Sequence, residues 1–200
     1  MKSLVIASNN KHKKEEIEAL LNNSIQLFTP KEIGCFDELP ETDNTLEGNA
    51  LQKAMYIYEK FGYDCFADDT GLEVEALQGA PGVYSARYST DEAPDIDEKL
   101  RPEYNIQKLL RELKHKDNRK ARFRTVICFV EKGKPVYFEG IVNGTIIDEK
   151  KGTDGFGYDP VFIPDGYTKT FAEMDMATKN AISHRGRAVV KFIEYLSKTK

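Results

Sequence analysis

Two adjacent carboxylates, Asp68 and Asp69, stand in the stretch ADDTGLE, where a short apolar run meets a threonine and a glycine. Neighbouring residues of a strand face opposite sides, whereas in the turn just after one they can reach a shared volume. Placed in such a turn, the pair suits Mg2+, a hard cation that keeps several waters and takes one or two carboxylates together with substrate phosphates. The same residues suit a structural turn equally, Asp and Thr side chains bonding to its N–H groups. Taken alone, the pair leaves both readings open.

Three further segments carry candidate groups. SNNKHKKEE, residues 8–16, offers Ser8, Asn9 and Asn10, then Lys11, His12, Lys13 and Lys14 where a helix should begin. Cations there oppose the helix dipole, unless lysines and helix end both face a bound anion. The alternative is a set of solvated lysines paired along the helix, as in Lys11 with Glu15. GTDGFGYD, residues 152–159, has neither the Gly-Lys-Ser/Thr ending of a phosphate loop nor a dinucleotide fingerprint. Its glycines let a backbone approach a planar ligand closely while an aromatic ring stacks on it, and structural turns would use them as well. Lys179, Ser183, His184 and Arg185 form the last cluster. Ser183 is a good N-cap for a final helix, and Arg185 in its first turn suits a phosphate or a base's carbonyl. No Ser-His-Asp or Cys-His arrangement is supported, and the three histidines are too scattered for a zinc site. Acidic turns with basic, glycine-bearing loops favour metal-assisted phosphoryl chemistry over acyl transfer.

The elements that must position these groups read as follows. SLVIA is a buried strand, followed by a polar turn and a helix with Ile17, Leu20 and Leu21 on its stripe. Such a turn is a common ligand position, because open α/β sheets bind beyond the carboxyl ends of their strands. Residues 25–28 predict a second strand, 34–45 a loop, and 46–61 a helix. A short strand leads into Ala67, the two aspartates turn, and LEVEAL alternates like a strand. GAPGVYSARYS is loop, and residues 105–113 carry a helical stripe. ARFRTVICFVEKG and KPVYFEGIVNGTII form strands around a Lys132-Gly133-Lys134 turn, with a third strand portion before Asp148. A short strand at 161–163 and helix from about Asp175 complete the chain. The expectation is one domain over residues 1–200, an α/β fold whose elongated mixed β-sheet is flanked by helices, with two lobes and a cleft between them.

A length of 200 residues suffices for one sizeable core, and 40% apolar with 31% charged residues fit an ordinary folded protein. A net charge of -4 and a pI near 5.5 argue against a general nucleic-acid binder. Three cysteines without metal-ligand spacing suit a reducing compartment. The opening apolar run is too short for a signal peptide and nothing approaches a membrane span, so a cytoplasmic protein is expected.

In order and spacing, the segments ASNNKHK, LPET with LEGNALQKA, ADDTGLEVEALQGAPGVYSARY, ARFRTVICF, GTDGFGYDPVF and KNAISHRGRA resemble the inosine/xanthosine triphosphate pyrophosphatases. The resemblance covers essentially the whole chain. It implies Mg2+-dependent hydrolysis of the α–β phosphoanhydride of ITP, dITP and XTP to the nucleoside monophosphate and pyrophosphate, which keeps these nucleotides out of nucleic acid. It also implies a homodimer and a nucleotide held in a cleft between two lobes. Carried onto this sequence, Ser8, Asn9, Asn10, Lys11, His12 and Lys13 would contact the triphosphate. Glu41 and Asp69 would hold the metal, with Asp69 the proton acceptor, Asp68 a supporting carboxylate and Thr70 a hydroxyl contact. Phe156, Gly157, Tyr158 and Asp159 would form the base side, the phenylalanine stacking on the purine, with Lys179, His184 and Arg185 completing recognition. Asn9 replaces a glycine frequent at that loop position, and residues 91–105 form a longer stretch than in compact members. A carboxylate beside a metal cation should have a lowered pKa. The rival readings are a pyrophosphatase of different nucleotide preference, and a nucleotide-binding module without catalysis.

Overall fold

The computed structural model describes residues 2–21 and 25–198. In chain order the elements are β1 (Lys2–Ile6), α1 (Lys11–Leu21), β2 (Ile25–Phe28), α2 (Leu46–Phe61), β3 (Cys65–Val74), β4 (Pro81–Gly82), α3 (Arg101–Glu112), β5 (Lys120–Glu131), β6 (Lys134–Ile146), β7 (Phe162–Pro164), α4 (Met176–Ile182) and α5 (His184–Lys198). The strands form one sheet in the order β2-β1-β3-β5-β6-β7, with β4 paired to β3. β1 runs parallel to β2 and β3, whereas the β3–β4 and β6–β7 pairs are antiparallel. The α/β class and the mixed sheet are thus as expected.

Two compact units divide the chain: Met1–Asp69 with Thr125–Gly140 and Ser183–Lys200, and Thr70–Arg124 with Ile141–Ile182. In the first, successive strand residues bury to opposite sides. Leu4, Ile6, Phe66, Ile127 and Phe129 join Ile17 of α1 and Phe192 of α5, while Val5, Ala7, Cys65, Ala67, Cys128 and Val130 join Ala50, Ala54 and Ile57 of α2. Helices on both sides leave these strands no polar face, which is why SLVIA and TVICFV read as unbroken apolar runs. Phe192 packs on Phe66 and Phe129 with ring centroids 5.0 and 5.2 Å apart. The second unit has its own core of Leu72, Val74, Ile106, Leu109, Phe123, Phe162 and Phe171. There β5 alternates, Lys120 and Arg122 out, Ala121 and Phe123 in, as a sheet covered on one side does.

Local chemistry sets the helices that matter for the site. Thr45 caps α2, its Oγ accepting the Gly48 N–H at 3.0 Å. Asn10 caps α1 by accepting the Lys13 N–H at 3.2 Å, and Ser8 Oγ accepts the Asn10 N–H. Ser183 caps α5 through the Gly186 N–H at 3.0 Å, as expected, and this cap divides the predicted C-terminal helix into α4 and α5. α5 lies close on β6 because residue 140 is glycine. A Cβ there would stand 1.9 Å from the His184 carbonyl oxygen and 2.6 Å from the Ala188 nitrogen.

Several sequence expectations are corrected. Asp68 and Asp69 lie inside β3, not in a turn after it, and the strand continues to Val74 before a 3-10 turn at Glu75–Leu77. β6 is one strand through Ile146, so no separate third portion exists. Asp159–Val161 is a 3-10 turn, which shifts the following strand to Phe162–Pro164. The helix predicted at 105–113 begins earlier, at Arg101, with Pro102 in its first turn. Cys35, Cys65 and Cys128 are buried free thiols, and burial pushes Cys65 and Cys128 up to about 12. No described helix is long and apolar enough to cross a membrane.

Candidate active site

Extended backbone at Asp68 and Asp69 sends their carboxylates to different partners. Asp68, fully buried, receives the Arg185 Nε at 3.2 Å, and Lys13 Nζ lies 3.1 Å from its Oδ1 as an ion pair without hydrogen-bond alignment. Arg185 is itself 1% exposed and reaches Glu16 of α1 with its other arm. Asp69 receives Lys53 Nζ at 3.2 Å, and the same ammonium lies 2.5 Å from Glu41 Oε1 and 2.9 Å from the Asp68 carbonyl oxygen. These seven side chains all belong to the first unit. The charges amount to four carboxylates, Glu16, Glu41, Asp68 and Asp69, against three cations, Lys13, Lys53 and Arg185.

Burial penalises the charges of Lys13, Lys53, Asp68, Asp69 and Arg185; it prevails at Lys13 and Asp69, and the neighbours prevail at the other three. Asp68 is held well below the usual carboxylate range, since Lys13, Arg185 and Lys53 outweigh its burial. Burial lowers Lys13, with Lys53 and Arg185 adding repulsion that Asp68 does not cancel. Lys53 is raised because Asp69, Glu41 and Asp68 overcome its desolvation. Asp69 is raised: burial leads, Lys53 and Lys13 oppose it, and Glu41 and Asp68 add repulsion. The protein's own groups therefore raise Asp69, and a bound cation would act in the opposite direction.

The two carboxylates expected to bind metal do converge, both reaching one ammonium. Two carboxylates with one negative charge in excess fit a hard divalent cation that completes its shell with water and phosphate oxygen. Among the described residues no group of three His, Cys, Asp or Glu side chains forms a metal cage. Asp68, expected to add negative charge beside the metal, instead has its charge met by Lys13 and Arg185.

The remaining expected residues divide between exposed positions and a second cluster. Asn9, Asn10, Lys11 and His12 are exposed, Ser8 is half-buried, and His12 rather than Lys11 faces Glu15, at 3.9 Å. Asn9 is not among the residues with positive φ, so the glycine-like conformation is not required there. His184 is buried in the first turn of α5. In the second unit, Asp159 Oδ2 accepts the Phe156 N–H at 2.8 Å and Lys179 Nζ at 2.9 Å. Lys179 also stands 5.0 Å above the Phe156 ring. Gly155, at φ +76°, completes this loop, and a Cβ there would strike Asp159 Oδ2 at 2.3 Å. Tyr158 and Asp159 are buried, while Gly157 and Thr70 are half-buried.

Lys53 and Glu16 were missed by sequence reasoning, yet a signal existed. Lys53 falls on the stripe Leu46, Asn49, Ala50, Lys53, Ala54, Ile57 that α2 buries, and Glu16 adjoins Ile17 on the buried side of α1. A charge on a helix's apolar face needs a buried partner.

The chain matches the model of the Ham1 family over residues 4–195. It is 50% identical to the dITP/XTP pyrophosphatase of Flavobacterium johnsoniae over 197 residues, covering 98% of this chain and 99% of that one. It is 48% identical to the dITP/XTP pyrophosphatase of Porphyromonas gingivalis over 197 residues, 98% of each chain. Among solved structures, the HAM1 protein of Coxiella burnetii superposes with a TM-score of 0.88 at 35% identity, over 99% of this chain and 100% of that one. The Staphylococcus aureus Ham1 protein gives 0.87 at 36% identity over the whole of both.

Proposed function

This chain belongs to the Ham1 family, and from that premise we propose that it hydrolyses non-canonical purine nucleoside triphosphates (ITP, dITP and XTP) to the nucleoside monophosphate and pyrophosphate. The near full-length identity to dITP/XTP pyrophosphatases carries the reading. The Glu41–Lys53–Asp69 cluster supplies the chemistry it needs. The same reading takes the enzyme to be a cytoplasmic homodimer.

Asp69 acts as proton acceptor for the attacking water. Burial with Glu41 and Asp68 raises Asp69, whereas Lys53 opposes this and favours the ionised form the reaction needs. Lys53 also fixes Glu41 and Asp69 relative to each other, which confines the proton-accepting oxygen to one place. Glu41 and Asp69 would hold Mg2+, which when bound neutralises phosphate charge and acidifies a water. Residues 8–13 take the triphosphate. Lys13 and the N-terminus of α1 offer it positive charge, and Lys13 is held in place by Asp68. Phe156 stacks on the purine, and Asp159 with Lys179 fixes the loop that presents it.

The test is pyrophosphate release from ITP, XTP, dITP, GTP and ATP, each with and without Mg2+. Metal-dependent release favouring ITP, dITP and XTP is expected; against ATP, donors placed for an oxo group at the purine 6-position reject adenine's amino group. Equal rates on all five would remove the base selectivity. Binding without release would leave a nucleotide-binding module.

Lys53→Met removes the ammonium shared by Glu41 and Asp69. We expect kcat/KM for ITP to fall by about a hundredfold, the scale of losing one preorganised electrostatic contact. A value within about threefold of wild type, against that scale, would reduce Lys53 to a packing role.

A further inference from the structure

Ser85 has no part in the roles assigned above, yet the hydrogen bonds of the second unit converge on it. It is 8% exposed and opens a 3-10 turn in the loop after β4. Its hydroxyl accepts the Leu72 N–H at 2.8 Å and donates to the Gly82 carbonyl at 2.6 Å. Leu72 lies three residues beyond Asp69 on β3, where the strand pairs with β4 in the register Leu72 to Gly82. The hydroxyl thus ties the turn to that strand through both partners of one register pair.

The carbonyl of Ser85 faces the other way in function. It accepts the Tyr158 hydroxyl at 2.9 Å and the Asn105 side-chain amide at 3.2 Å. Tyr158 is 4% exposed, and burial, reinforced by Tyr88 and Glu112, keeps its phenol protonated as a donor. α3 secures the same turn from its own side. Asn105 also donates to Ala86 O and accepts from Ser89 N–H and hydroxyl, Lys108 donates to Tyr88 O, and Arg101 donates to Ala93 O and Pro94 O. The buried polar stripe Arg101, Asn105, Lys108 therefore anchors a loop that has no strand or long helix to satisfy its backbone.

The geometry points to Ser85 as a positioning residue for base recognition: it locks the loop Phe156–Asp159 to β3 through the chain Leu72 N–H, Ser85, Tyr158 hydroxyl. Tyr158 then serves the site through its hydroxyl's anchorage, leaving Phe156 to meet the base on the loop that Asp159 and Lys179 fix. This rests on the function proposed above for that loop. Loss of the Ser85 hydroxyl leaves the Leu72 N–H buried without its acceptor and removes the tie to β3 of the turn that carries the Tyr158 acceptor, leaving α3 alone to hold it.

The experiment compares wild type with Ser85→Ala, Ser85→Thr, Tyr158→Phe and the double variant Ser85→Ala with Tyr158→Phe. Each is measured by calorimetric titration with ITP and with GTP, by steady-state pyrophosphate release, and by thermal melting. Ser85→Ala should weaken ITP binding and raise its KM by about tenfold, the scale of one buried hydrogen bond, and narrow the ITP-to-GTP ratio, while kcat changes far less. Ser85→Thr keeps the hydroxyl and should restore the ratio. Ser85→Ala and Tyr158→Phe act on one chain, so their combined effect should fall short of the product of the two. A Ser85→Ala protein that melts lower but keeps the wild-type affinity, KM and ratio would overturn the inference. Wild type that binds ITP without releasing pyrophosphate would overturn the catalytic reading alone, since the binding comparison still decides Ser85. Wild type that binds no ITP would overturn both.

Discussion

Asp69→Asn should lower kcat for ITP by about three orders of magnitude, within the range that positioned acid–base catalysis contributes. The substitution is nearly isosteric, and an asparagine oxygen can still accept the Lys53 ammonium now 3.2 Å from Asp69. Neither β3 nor α2 loses packing, because the side chain keeps its shape and its partner. What disappears is an oxygen able to take a proton, together with one of two carboxylates expected to hold Mg2+. Affinity for ITP should change far less than turnover, since the phosphate and base contacts are assigned to other residues. Near-normal kcat at saturating Mg2+ would reject Asp69 as an essential base. A variant that fails to fold would show in its melting curve and would be separated from a true catalytic loss.

Arg185→Leu should be the most damaging single change to stability, by about 3–5 kcal/mol, as when one partner of a buried ion pair is removed. Arg185 is among the largest fully buried side chains and is paired with both Asp68 and Glu16. Leucine would remove the guanidinium from both carboxylates, leaving Lys13 and Lys53 against Asp68. For a chain of this length the loss corresponds to a fall in Tm of about 10 °C. Asp68 ionises well below the ordinary range, so its pairing contributes fully above that range and is lost only as pH falls through its depressed value; the melt belongs near neutral pH. Adding Asp68→Asn to Arg185→Leu should recover part of the loss by removing one uncompensated charge. A Tm within about 2 °C of wild type would mean that water or a rearranged lysine satisfies the carboxylates, against the buried-pair expectation.

The helix at 46–61 and the strand at 25–28 were legible because their signals are local: an apolar stripe in one, a short, mostly apolar run ended by Thr29-Pro30 in the other. The Ser183 cap was legible for the same reason. The placement of Asp68 and Asp69 was not. Aspartates followed by threonine and glycine carry turn chemistry, and only pairing with distant cations, Lys13 and Arg185, the latter 117 residues away, lets a carboxylate occupy a buried strand. Lys53 was hidden by its type rather than its position, since lysine usually marks a solvated face and here occupies a buried one. The roles of Ser85 and Asn105 could not be read locally either. Their partners, Leu72, Tyr158 and the turn at 85–89, are brought together only by the folded second unit. Residues 91–105, the stretch longer than in compact members, end within α3 and supply the Arg101 and Asn105 anchors.

The most direct test of the central claim is to identify the phosphorus products when the wild-type protein is incubated with ITP and Mg2+ and followed by phosphorus NMR. Equal amounts of inosine monophosphate and pyrophosphate are expected, with no diphosphate intermediate at any time. Inosine diphosphate with orthophosphate would contradict that claim, by placing cleavage at the β–γ bond. Unchanged ITP would contradict it more fundamentally, by leaving the Glu41–Lys53–Asp69 cluster without the reaction assigned to it.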